Sequence, residues 1–205
     1  LRCVPDRTRA GGEGMRRVAG SAVRPGAMPR APVRASRLGC MDVHPELEPI
    51  AFLLGRWEGA GVIGYPTIES ANFGQEVVFG HNGKPFLTYQ SRTWLLDRDG
   101  NRVRPLAMES GFWRMLPDRQ VEVCLSHPTG IVEIYVGEVV FHKIELHTDV
   151  VARTVTAKEY NAGRRLYGLV NGNLMYAFDM AAMGQSLQAH ASAELKKVAD
   201  FVPGE

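Results

Sequence analysis

Apolar and polar residues alternate along most of the chain from Asp42 onward. The runs Glu76–Phe79, Pro85–Trp94, Gly111–Met115, Gln120–Leu125 and Gly130–Val136 carry this period of two. So do Lys143–Thr148, Arg153–Tyr160, Arg165–Val170 and Leu174–Met180. Period two with β-branched and aromatic residues is the signature of half-buried strands. The breaks hold turn chemistry: His81–Lys84, Asp97–Asn101, Pro117-Asp118, His127–Gly130 and Asn171-Gly172-Asn173. Asn171-Gly172 between two alternating runs predicts a hairpin. Strands recurring at roughly 8–12 residue spacing predict an all-β domain, a sandwich or a barrel. A closed barrel leaves no exposed edges, and about ten strands make one wide enough for a ligand. A closed antiparallel barrel, like those of lipocalins and fatty-acid-binding proteins, is therefore the expected fold.

Two stretches depart from the alternation. His44–Leu54 (HPELEPIAFLL) predicts a short N-terminal helix whose apolar face leads into Gly55. Ala181–Leu195 reads both ways: Leu187, Ala191, Leu195 and Val198 fit a helix, whereas HASAELKKV alternates.

At 205 residues and 45% hydrophobic, the chain suits one domain that buries a core without disulfides. Cys3, Cys40 and Cys124 are odd in number and form no CxxC pair, which points to a reducing, cytoplasmic setting. No run approaches the ~20 apolar residues of a membrane span. The net charge of +2 hides an uneven distribution, because residues 1–40 hold nine arginines against Asp6 and Glu13. That segment is rich in Gly, Pro and Ala and lacks Phe, Tyr, Trp and Ile, a composition expected to stay disordered. The expected division is a tail over 1–40 and a folded domain over 41–205. Arg24 and Pro25 interrupt the run that a secretory signal would need. An organelle-targeting segment and a start assigned too early remain, and the compositional break at Met41 favours the second. No aromatic residues accompany the arginines, so nucleic acid is not an expected partner, and with no run long enough to span a bilayer neither is a membrane.

Chemistry concentrates in Gly55-Arg56-Trp57-Glu58-Gly59-Ala60-Gly61. A tryptophan among glycines at the start of a first strand can plug one end of a barrel, while Gly59 and Gly61 let backbone or ligand approach closely. The extended form, followed by Gly64-Tyr65-Pro66-Thr67-Ile68, resembles the nitrobindin family. Glu109-Ser110-Gly111, His127–Ile131, Ala157-Lys158-Glu159 and Gly184–His190 extend the match, which covers about Pro45 to Val198. The resemblance implies a ten-stranded barrel that binds ferric haem b in a wide cleft. It makes His190 the proximal iron ligand and catalytic residue, and sets Thr67 and Lys158 against the cofactor. It implies isomerisation of peroxynitrite to nitrate and binding of nitric oxide; a homodimer is compatible with it. The competing function is a non-catalytic carrier or sensor barrel for haem, nitric oxide or a fatty acid, which fold alone does not separate from the enzyme.

Read without the family, the histidines divide by position. His44 precedes Pro45, His81 and His127 fall in turns, and His142 and His147 look outward-facing on strands. His190 sits between Ala189 and Ala191, small enough for a flat macrocycle to approach. Haem needs an axial nitrogen, an apolar slot and partners for its propionates. The slot candidates are Val62, Ile63, Ile68, Phe86, Leu87, Met115 and Met180. Lys158, Arg164 and Arg165 are either propionate partners or solvated strand-end charges. The second nitrogen of His190 should find an orienting acceptor. Thr67 has a plainer alternative, capping the extended chain before Pro66. No GxSxG elbow, HExxH, Walker loop or dinucleotide fingerprint competes.

Overall fold

The computed structural model describes residues 42–202. The arginine-rich segment 1–40 and the candidate start at Met41 lie outside the described residues. Ten strands follow one another: β1 (Gly55–Tyr65), β2 (Ile68–His81), β3 (Leu87–Leu96), β4 (Arg102–Met115) and β5 (Gln120–His127). Then come β6 (Ile131–Val140), β7 (Lys143–Arg153), β8 (Tyr160–Val170), β9 (Asn173–Ala182) and β10 (Gln188–Ala199). Each pairs antiparallel with its neighbour in sequence, and β10 returns to β1 to close the barrel. The expected closed antiparallel barrel is the observed fold.

Alternation follows from the pleat, which sends successive side chains to opposite faces. In β5, Val121, Val123 and Leu125 are buried while Gln120 and Cys124 are exposed. The inward residues meet in one core around Trp57, Phe79, Trp113, Tyr135 and Tyr167. At the β8–β9 turn Asn171 (φ 52°) and Gly172 (φ 82°) both take positive φ, as the tight hairpin requires.

The N-terminal helix spans Pro45–Leu53 and is 3₁₀ rather than α. Pro49 lacks the N–H that an α-helical ladder would use there. Leu47, Ile50 and Leu53 are wholly buried, and their spacing of three stacks them on one edge of a 3₁₀ turn. They close the barrel end where β1 begins. The Trp57 indole N–H donates to the Leu53 carbonyl at 2.7 Å, joining plug to strand.

Two expectations need correction. Arg153–Tyr160 is not a strand: β7 stops at Arg153 and β8 starts at Tyr160. Between them Ala157 N–H bonds to Thr154 O, and Val155 is fully exposed, so the alternation there has no core to face. The ambiguous stretch 181–195 is the end of β9, a turn through Met183-Gly184, and β10; it is not a helix.

Candidate cofactor cleft

The barrel end away from the 3₁₀ plug opens into a cleft of about 320 Å³, within the usual range for small-molecule sites. Ile63, Ile68, Phe178 and Met180 give it apolar walls, and the exposed side chains of Ile68, Met108 and Met183 extend the apolar surface to its rim. Three of the seven slot candidates, Ile63, Ile68 and Met180, line it. Leu87 and Met115 belong to the core behind, and Val62 is exposed. Phe86 does not line it.

The glycine motif does not touch the cleft. Its role is the β1–β10 seam, where a Cβ on Gly59 would lie 2.0 Å from the Glu194 carbonyl oxygen and one on Gly61 2.0 Å from that of Ser192. Only glycine lets the strands approach this far. The register carries on to Ile63 opposite Ala191, which places His190 beside the end of β1. Gly55 opens β1 with φ 120°, and Trp57 is buried in the core as expected.

His190 is half-buried, and its Nδ1 donates to the Gly64 carbonyl at 3.1 Å. This is the orienting acceptor that the sequence left unnamed. A carbonyl can only accept, so the bond fixes the tautomer and leaves the Nε2 lone pair unprotonated. Nε2 has no hydrogen-bond partner among the described residues. Tyr65 and Phe178 pack edge-on against the ring, each with centroids 5.5 Å apart. Burial lowers the imidazole pKa, opposed in part by the Gly64 bond, and so favours the neutral form that binds metals. Thr67, in the two-residue β1–β2 turn, and Lys158, in the β7–β8 loop, stand exposed on the rim.

The facing wall is charged, and sequence reasoning missed it. Arg165 is 1% exposed and cannot be a strand-end charge in solvent. Its guanidinium forks onto Glu109 at 2.7 and 2.8 Å and reaches Glu133 at 3.2 Å. Its Nε donates to the Tyr135 hydroxyl at 3.0 Å. Tyr135 and Tyr160 both donate to Glu133, and Tyr89 donates to Glu109 at 2.6 Å. Burial pushes the Glu133 pKa up, but Arg165 and these donors outweigh it and hold it down to about 2. Burial also pushes the pKa values of Tyr135 and Tyr160 up, so both stay neutral. Arg164, by contrast, points outward and pairs with Glu145 at 3.5 Å.

His127 completes this wall. It ends β5 instead of sitting in a turn, and its Nε2 lies 2.6 Å from Glu133 and 3.8 Å from Glu109. His81 likewise ends β2 and is buried, while His142 lies in the exposed β6–β7 turn and not on a strand. Glu109, His127 and Glu133 could each offer an atom to a metal ion. The Arg165 guanidinium already occupies oxygens of both carboxylates, at 2.7 and 2.8 Å on Glu109 and 3.2 Å on Glu133.

Fold and cleft together define a closed antiparallel barrel whose ligand-sized cleft has one apolar wall, carrying neutral His190, and one charged wall. A family profile described as THAP4-like, heme-binding beta-barrel domain matches residues 46–197, and the chain belongs to that family. A Nocardioides sp. protein named peroxynitrite isomerase is 53% identical over 75% of this chain and 94% of its own length. A ferric nitrobindin-like protein of Kineococcus radiotolerans is 49% identical over 77% of this chain and 96% of its own. The crystal structure of Rv2717c from M. tuberculosis superposes with a TM-score of 0.69 at 41% identity, covering 76% of this chain and 99% of that one.

The residues present fit a haem. The β1–β10 wall offers one imidazole, His190, with its tautomer fixed, beside apolar Ile63, Phe178 and Met180, and Lys158 puts a cation on the rim.

Proposed function

We propose that the chain is a ferric haem b protein that isomerises peroxynitrite to nitrate and binds nitric oxide. The observation that carries this reading is His190: its Nδ1 is pinned to the Gly64 carbonyl while Nε2 is left free on the apolar wall of the cleft. The heme-binding family and the name of the Nocardioides relative support it.

His190 would hold the iron through Nε2, and the Gly64 carbonyl keeps the ring in the orientation that this needs. Thr67 and Lys158, exposed on the cleft rim, would hold the polar edge of the cofactor. Ile63, Phe178 and Met180 would give the reacting anion an apolar wall. When bound, ferric haem supplies a Lewis acid for rearrangement of peroxynitrite to nitrate. The working setting is the cytoplasm, with small-molecule substrates and neither nucleic acid nor membrane, as a monomer or homodimer. Among the described residues no helix is long and apolar enough to cross a membrane.

Stopped-flow decay of peroxynitrite with the haem-loaded chain tests the reading. The rate should rise in proportion to protein, nitrate yield should rise, nitration of free tyrosine should fall, and His190→Ala should lose all three effects. A chain that binds haem yet leaves the spontaneous decay unchanged is a carrier or sensor instead.

A further inference from the structure

In the ring of ten strands β10 and β5 stand five positions apart. His190 and His127 therefore reach the same cleft from opposite walls. We propose that His127 is a second catalytic residue, the base that takes the proton from a weak acid entering the cleft in its neutral form. This rests on the haem reading above.

The first support is the geometry of the imidazole. Nε2 donates to the Glu133 carboxylate at 2.6 Å, so the ring is oriented and its tautomer fixed. Nδ1 is then the basic nitrogen, and it has no hydrogen-bond partner among the described residues. A buried carboxylate holding one imidazole nitrogen while the other faces a ligand site is the general arrangement of an oriented base. Glu133 suits the role because it is 1% exposed and fixed by Arg165, Tyr135 and Tyr160.

The second support is the charge count. The groups around His127 are Glu109 from β4, Glu133 and Tyr135 from β6, and Tyr160 and Arg165 from β8. The tyrosines are neutral, so two carboxylates face one guanidinium and the cluster is one positive charge short. An imidazolium formed by the transfer would have carboxylate oxygens at 2.6 and 3.8 Å to meet its charge. A network that served only to hold strands together would need no titratable ring at the cleft surface, yet this one ends in a ring whose side chain is 19% exposed.

The step balances as an acid–base transfer. The O–H bond of peroxynitrous acid breaks, its electron pair stays on oxygen, and an N–H bond forms at Nδ1. Peroxynitrite anion and imidazolium result. The proton returns to solvent through the cleft mouth when nitrate leaves.

Fluoride is the probe, since hydrogen fluoride crosses as a neutral acid and binds ferric haem as an anion. In the haem-loaded full chain, His127→Gln should keep its Soret band and weaken fluoride binding about tenfold, the worth of one hydrogen bond to a charged group. Peroxynitrite decay should slow most at acid pH, where the substrate enters as the neutral acid, and so change its pH profile. His147→Gln, on the outer face of β7, should match the wild type in both. In the haem-free wild-type barrel, ¹⁵N NMR should show the proton of neutral His127 on Nε2. Unchanged fluoride affinity and pH profile in His127→Gln, or a neutral ring protonated on Nδ1, overturns the proposal. Should His127→Gln fail to fold, the NMR result decides alone. A wild-type chain with no Soret band overturns the haem reading before His127 is touched. One that binds haem and fluoride but ignores peroxynitrite breaks the isomerase reading alone.

Discussion

The two walls of the cleft bury nitrogen in opposite ways. On the β1–β10 side, His190 is neutral, pinned by one backbone carbonyl and surrounded by Tyr65 and Phe178. On the β4–β6–β8 side, Arg165 is charged, nearly inaccessible, and satisfied by two carboxylates and a tyrosine. The first wall spends little stability and leaves a lone pair free. The second removes three charges from water, which is tolerated only because each is paired and hydrogen-bonded. Phe178 joins them, with the Arg165 guanidinium 4.6 Å from its ring centroid and His190 against its edge. One wall can therefore be altered at small cost to the fold, and the other cannot.

The largest effect follows from breaking the charged wall. Arg165→Met leaves Glu109 and Glu133 buried without their cation, and removing one partner of a buried pair costs about 3–5 kcal/mol. Urea unfolding should show that loss. Adding Glu109→Gln and Glu133→Gln should recover a good part of it, since no orphaned charge then remains. A single variant as stable as the wild type would mean that the network is solvated in solution.

Acid should act on the same wall with somewhat smaller effect. The Glu133 pKa falls from 4.5 to about 2 on folding, so the unfolded chain binds the proton first as pH drops. Its contribution is complete above 4.5 and is lost progressively as pH falls toward 2. At 1.36 kcal/mol per unit it amounts to about 3 kcal/mol. Stability measured across that window should fall less steeply in Glu133→Gln than in the wild type.

The seam that carries His190 should answer to bulk. Gly61→Val forces a side chain into the Ser192 carbonyl, and overpacking of this kind costs about 1–3 kcal/mol. Haem affinity should fall with it, because β10 must move. Stability lost with affinity intact would separate the glycines from the site.

The two walls were also unequally legible in the sequence. His190 lies within a few residues of its small neighbours and the Gly184 turn, so one short segment carries the cue. Arg165 meets partners 56 and 32 residues away on two other strands. Arg164-Arg165 shows that one side chain faces in and the other out, but a one-residue choice of register decides which. His127 looked like a turn residue because Pro128 follows it, although β5 runs through it. The barrel was readable because inward residues repeat along every strand. The 3₁₀ plug was readable as a helix but not as a 3₁₀ turn, since only the bond pattern around Pro49 separates them.

The smallest effect on the fold should accompany the largest on the cofactor. His190→Ala removes one hydrogen bond to Gly64 from a half-buried position where water can replace it, so about 1 kcal/mol or less is expected in urea unfolding. Tyr65 and Phe178 lose an edge contact but keep their other packing. The Soret band of the reconstituted protein should nevertheless vanish, because no other cleft histidine has a free nitrogen on that wall. Adding imidazole should restore the band, since alanine leaves the space of the ring and the Gly64 carbonyl remains to orient the guest. Rescue with the barrel folded throughout would identify His190 as the ligand and its wall as preformed. A Soret band that survives His190→Ala without imidazole would transfer the axial role to the charged wall and to His127.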